Sequence, residues 1–106
     1  MKIKHSYDQK ILNALTDFLI IKYLNKPEQH IQGMTGKDIL FRLRAFGVNA
    51  GESTIYSIFS KLRRNGLITK GRTETDDMCT EVTYFITKQG EKYFKSINEL
   101  LSALHH

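Results

Sequence analysis

The apolar residues of this chain change their spacing twice, and those two changes limit its fold more than any other feature. Up to Gly66 they recur at three- and four-residue intervals, as on a helix. From Leu67 the pattern becomes that of a strand: Leu67, Ile68 and Thr69 lead into 70–75, a polar turn follows, and in "TEVTYFIT" Val82, Tyr84 and Ile86 alternate with Thr83, Phe85 and Thr87. Beyond Thr87 the helical interval returns. One hairpin set between helices is therefore expected.

Ser6 and Gln9 have capping-box spacing and open a first helix over about 6–25, in which Ile11, Leu12, Leu15, Phe18, Leu19 and Leu24 recur up to Pro27. Its "FLII" is apolar at consecutive positions, more than one core-facing stripe needs, so a second apolar surface meets either a partner subunit or additional core. Residues 26–35, with Pro27 and Gly33, read as the longest connector, with a short extended piece around Ile31. Thr35 and Asp38 then open a second helix that carries Ile39, Leu40, Leu43 and Phe46 and stops at Gly47. In "GVNAGES" three caps remain open for the third helix: Asn49 with Glu52, Gly51, or Ser53. That helix runs to about Asn65, where Gly66 supplies a left-handed stop. Thr87 caps a last helix over about 88–104, with Tyr93, Phe94, Ile97, Leu100, Leu101 and Leu104 at helical spacing.

Helix, connector, helix, tight turn, helix, hairpin, helix is the layout of a winged helix-turn-helix: mainly α with a small β hairpin, ending in a C-terminal helix. At 106 residues and 41% hydrophobic content the chain is expected to form one domain over 1–106, with a thin core that association would supplement. The single cysteine, Cys79, excludes an internal disulfide framework and suits a reducing compartment. The first residues, "MKIKHSYDQK", lack a long apolar region and the run at 18–21 is too short to span a bilayer, so a soluble cytoplasmic protein is expected. His105 and His106 are open to two readings, native residues or the stub of a purification tag.

The third helix carries the functional signal. With Ile55 at zero on a wheel of about 100° per residue, Ile58, Phe59 and Leu62 fall within about 60° of it. Ser53, Ser57, Ser60 and Arg64 fall opposite. An ordinary solvent face would be filled with Glu, Lys and Gln, whereas this one has small hydroxyls followed by cations. Lys61, Arg63, Arg64, Lys70 and Arg72 have no acid among them and equal the net charge of +5 of the whole chain. A helix entering the major groove needs small side chains at the base edges and cations at the phosphates, and Lys70 and Arg72 would flank it from the hairpin.

The segments "STIYSIFSKLRRNGLI" and "TYFITKQGEKYF" resemble the recognition helix and the wing with final helix of the PadR-like transcriptional regulators, over roughly residues 36–96. MarR-like and ArsR-like proteins share the "T-x-x-G" end. The resemblance implies a homodimer that binds a pseudo-palindromic operator and represses transcription, with Tyr56 at the DNA backbone; a half-buried rim position for Tyr56 is the bland alternative. The expected DNA-contacting residues are Lys37, Ser53, Thr54, Tyr56, Ser57, Lys61, Arg64, Lys70 and Arg72. The first and last helices are expected to form the dimer contact through Leu12, Leu15, Leu19, Tyr93, Ile97, Leu100, Leu101 and Leu104. Two departures stand out. Glu74, Asp76, Asp77 and Glu81 make the wing tip acidic, so the tip should point away from DNA or bind it weakly, and the short final helix leaves little room for an effector pocket.

No catalytic chemistry, cofactor or metal site is expected. The histidines at 5, 30, 105 and 106 stand in no motif, and Asp76, Asp77 and Cys79 read as a solvated turn with an inert thiol. Neither "GRT" nor "GMTGK" has the spacing of a nucleotide loop. The leading expectation is thus a sequence-specific binder of double-stranded DNA without a membrane segment; a small-molecule effector is allowed but not indicated. The alternatives are a winged-helix protein-interaction module and a low-specificity architectural DNA binder.

Overall fold

The computed structural model describes residues 6–74 and 80–104. In chain order these form α1 (Ser6–Ala14), α2 (Thr16–Leu24), α3 (Pro27–Gln32), β1 (Met34–Thr35), α4 (Gly36–Phe46), α5 (Glu52–Arg64), β2 (Ile68–Glu74), β3 (Thr80–Ile86) and α6 (Lys88–Leu104). This is a mainly helical winged helix-turn-helix: α4 and α5 are the helix pair, and the hairpin β2–β3 is the wing. The expected wing tip, Asp76, Asp77 and Cys79, lies outside the described residues, as do His105 and His106.

Three local expectations are corrected. The first helix is interrupted at Leu15, and the buried Thr16 hydroxyl donates to the Leu12 carbonyl at 3.2 Å, a back-bond of the kind that bends helices. The connector at 26–35 contains α3, because Pro27 at a first helical position needs no donor there; Ile31 lies in this helix and is not extended. The hairpin becomes a three-stranded antiparallel sheet of order β1-β3-β2, with Met34 opposite Tyr84 and Thr35 opposite Thr83. Two residues are too few to show an alternation in sequence.

Other signals act where expected. Thr35 Oγ1 accepts the Asp38 amide at 3.1 Å and caps α4. Gly47 ends α4 at φ 117°, and Val48 then donates its amide to Leu43 while its side chain enters the core. Of the caps left open for α5, the chain uses Gly51. Gln9 works differently from a capping box: its side-chain amide donates to Gly47 O at 3.2 Å and accepts from Asn49 N at 3.1 Å, bracing the α4–α5 turn from α1.

The core forms where α2, α4 and α5 meet the sheet, with Ile20, Ile21, Leu24, Ile39, Leu43, Ile55, Phe59, Leu62 and Ile68 buried. The question raised by "FLII" is settled within the subunit. Phe18, Leu19, Ile20 and Ile21 are all buried because α2 is surrounded by α1, α3, α4, α6 and β3. Phe18 stacks on Phe94 with ring centroids 5.4 Å apart, joining α2 to α6.

A tight corner sets α6 against the end of α5. Gly66 turns the chain at φ 76°, and the Thr87 hydroxyl reaches the Gly66 carbonyl at 2.6 Å while accepting the Gly90 amide at 3.0 Å. Thr87 N donates to Leu67 O at 3.1 Å, and Gln89 Nε2 to Asn65 O at 3.3 Å. Gly90 is buried so closely that an added Cβ would collide with the Leu67 carbonyl. Gly90→Ala is therefore expected to destabilise the fold by about 1–3 kcal/mol. Thermal unfolding should show this as a midpoint lowered by about 4–8 °C per kcal/mol, and an unchanged midpoint would refute the close packing.

Candidate nucleic-acid interface

On α5 the apolar and polar faces are cleanly divided. Ile55, Phe59 and Leu62 are 0%, 1% and 1% exposed, whereas Ser53, Thr54, Ser57, Ser60, Arg63 and Arg64 face solvent. The Ser57 hydroxyl donates to Ser53 O at 3.0 Å and that of Ser60 to Tyr56 O at 3.3 Å, so the resting hydroxyls turn lone pairs outward. The ridge is thus formed of small hydroxyls that accept at rest and donate once rotated, with the cations following at the end of the helix.

Tyr56 flanks this ridge, half-buried, with its ring edge-on to Phe59 at 5.1 Å. It leans over the start of α4, where a Cβ on Gly36 would come within 2.8 Å of the Tyr56 hydroxyl oxygen. Lys37, next to Gly36, is exposed, so the edge of the ridge and the first turn of α4 adjoin. In the sheet Lys70 stands opposite Tyr84, whose ring packs 4.8 Å from Phe59; directly paired residues share a face, so Lys70 projects on the α5 side. Arg72 occupies the register position opposite Val82, while Glu74 and Glu81 pair with Thr80 and Thr73 toward the tip.

Lys61 is the exception among the expected contacts. Its Nζ lies 2.7 Å from Asp17 Oδ2 on α2, so the run of positive charge is partly neutralised by an acid distant in sequence. The pairing could not be read from residue spacing. Arg63, left out of the expected set, is exposed, and its charge lies near enough to oppose the rise in the Tyr84 pKa. Its position about 80° from Ile55 on the helical wheel was the available signal.

The expected dimer residues divide into two groups. Leu12 and Leu19 are 4% and 5% exposed and belong to the subunit's own core, which corrects their assignment to a partner contact. Leu15, Tyr93, Ile97 and Leu101 are half-buried, and Leu100 and Leu104 are 57% and 77% exposed. On α6 the wheel angles of Tyr93, Ile97, Leu100 and Leu104 fall within about 60° of one another, a continuous apolar stripe. Ile11 on α1 is 58% exposed and extends the apolar surface available to the N-terminal helices.

A separate open cleft of about 690 Å³ is lined by Tyr23, Met34, Phe41, Arg42 and Phe46 among others and shares no residue with the ridge, so the fold has more concave space than the short last helix suggests. Among the described residues no group of three His, Cys, Asp or Glu could hold a metal, and no helix is long and apolar enough to cross a membrane.

A helix pair whose second helix presents a polar, cationic ridge, with a wing beside it, defines a winged helix-turn-helix protein of the DNA-binding class. The family model for the PadR-like transcriptional regulators matches residues 28–96, and the chain belongs to that family. Solved structures agree in fold. A transcriptional regulator from Thermoplasma acidophilum superposes at TM-score 0.74 and 20% identity, covering 91% of this chain and 88% of that one. A PadR family transcriptional regulator from Eggerthella lenta gives 0.76 and 16%, covering 93% and 82%. A transcriptional regulator from Clostridium thermocellum gives 0.69 and 25%, covering 97% and 92%. No curated protein sequence matches the chain.

Four tyrosines, two beside the site and two elsewhere, report the packing of the subunit. Tyr56, Tyr84, Tyr23 and Tyr93 are each pushed above the ordinary phenol value, in every case chiefly by burial; Glu52 adds to this for Tyr56, and Tyr56 adds to it for Tyr84. Because the folded values are raised, their contribution to stability is complete below about pH 10 and is lost as pH rises through the folded values. An absorbance titration of phenolate is expected to lag behind that of the denatured chain on the alkaline side, and coincident curves would contradict this packing.

Proposed function

We propose that this protein is a sequence-specific double-stranded DNA-binding regulator that acts as a homodimer on a pseudo-palindromic operator and represses transcription there. Membership of the PadR-like family supports DNA-binding regulation. The observation that carries the finer reading is the ridge of Ser53, Ser57, Ser60 and Arg64 held outward over buried Ile55, Phe59 and Leu62. In this reading α5 enters the major groove, its serines meet base edges and phosphates, and Arg64 gives the bidentate contact. Lys37, Thr54, Tyr56, Lys70 and Arg72 serve the backbone on either side, where cations position the protein more than they specify sequence.

Dimerisation is assigned to the α6 stripe of Tyr93, Ile97, Leu100 and Leu104 with Leu101 at its edge, and to Leu15 and Ile11 of the N-terminal helices. Leucines exposed on one face of an amphipathic helix gain by burial against a second copy, at about 25 cal/mol per Å². Two copies then present two α5 helices to half-sites about one helical turn, roughly 34–36 Å, apart.

Selection from a random duplex pool is expected to return an inverted repeat. On that site Arg64→Ala should cost about 1–3 kcal/mol, while Lys70→Ala should weaken all sequences alike and reduce the salt slope by about one. An unchanged titration for Arg64→Ala would overturn the assignment of the reading face. Leu100→Asp, at an exposed position, is expected to leave the subunit folded but monomeric in sedimentation and to weaken operator binding strongly; an unaltered dimer would overturn the interface.

A further inference from the structure

Asp17 has no part in the core and none on the ridge, yet it is held in a defined place. It lies in the first turn of α2, where the positive end of the helix dipole stabilises a carboxylate whatever its partner. Its Oδ2 is 2.7 Å from Lys61 Nζ, with the two side chains 25% and 48% exposed. Tyr93 of α6 lies in the field of both charges: burial raises its pKa, Asp17 raises it further and Lys61 lowers it. The ion pair thus joins α2 to α5, with Tyr93 of α6 within reach of both charges.

Lys61 follows Ser57 by four residues and so borders the ridge, about 60° from Arg64. A lysine there would ordinarily join the phosphate contacts, and its long stem lets the ammonium swing between two anions on the same side of the helix. The separation in the pair is that of an ammonium on an anionic oxygen, which a phosphate would equally provide. Arg63 and Arg64 have no such partner among the described residues.

We propose that Asp17 stands in for a DNA phosphate, holding Lys61 off the duplex backbone and so lowering the sequence-independent part of the attraction for DNA. This rests on the reading of α5 as the recognition helix. Phosphate contacts supply nearly all of non-specific affinity, whereas base contacts supply discrimination. Withholding one cation per subunit therefore lowers affinity at random and operator sites alike and leaves the ratio between them to the base contacts.

The test uses the full chain and anisotropy titrations on a random duplex and on the selected operator across a range of salt. Asp17→Asn is expected to tighten random-duplex binding and to steepen the salt slope by about 0.9 per subunit, an extra loss of about 3.5-fold between about 50 and about 200 mM salt. Lys61→Gln in the native background should leave the slope unchanged, and Asp17→Asn with Lys61→Gln should return it to the native value. A slope flattened by Lys61→Gln alone would show that Lys61 already meets DNA and would overturn the proposal. So would a double variant that binds as tightly as Asp17→Asn, since the gain would then come only from losing an acid. If Asp17→Asn fails to fold, Lys61→Gln alone still decides. Failure of the recognition-helix reading shows separately, as indifference to Arg64→Ala on the operator.

Discussion

The placement of α6 against the end of α5 depends on one hydroxyl, that of Thr87. It bonds the carbonyl of Gly66, where α5 has just ended, and accepts the amide of Gly90, where α6 has just begun. One side chain thus satisfies orphan groups from two helix termini. Gly90 must lack a side chain for the two backbones to approach, and Gly66 must adopt positive φ for the chain to turn into β2. The "T-x-x-G" end of the wing is therefore a structural joint. It fixes the angle between the helix that presents the ridge and the helix that bears the apolar stripe.

Charge is distributed on the same plan. The cations at the end of α5 also suit the negative end of its dipole, so Arg63 and Arg64 stabilise the helix as well as the site. Lys61, earlier in that last turn, is directed instead toward α2 by Asp17. The field presented outward is thus set partly by an acid on a helix that contributes nothing to the ridge.

Much of this was legible in the sequence, and the remainder was hidden for physical reasons. The α5 faces, the glycine stops at Gly47 and Gly66, and the caps at Thr35 and Thr87 follow from local rules, since each residue acts within a few positions of itself. What stayed hidden depends on contacts between distant segments. The burial of Leu12 and Leu19, the Asp17 ion pair and the role of Gln9 all require the fold before they exist. Near-local misses had other causes: β1 has only two residues, and Pro27 read as a breaker although a first helical position accepts it. The apolar stripe of α6 was half legible, because helical spacing identifies an apolar face without saying what covers it.

Gln9 bears on how much of the chain the α4–α5 pair needs around it. Its amide closes the turn between α4 and α5 from a position 38 and 40 residues away. A fragment excised around those two helices alone would keep its local caps and stops but expose the Gly47 carbonyl and the Asn49 amide to water. A unit that keeps this brace therefore begins at α1, and the brace carries a loop-closure cost that no local cap bears.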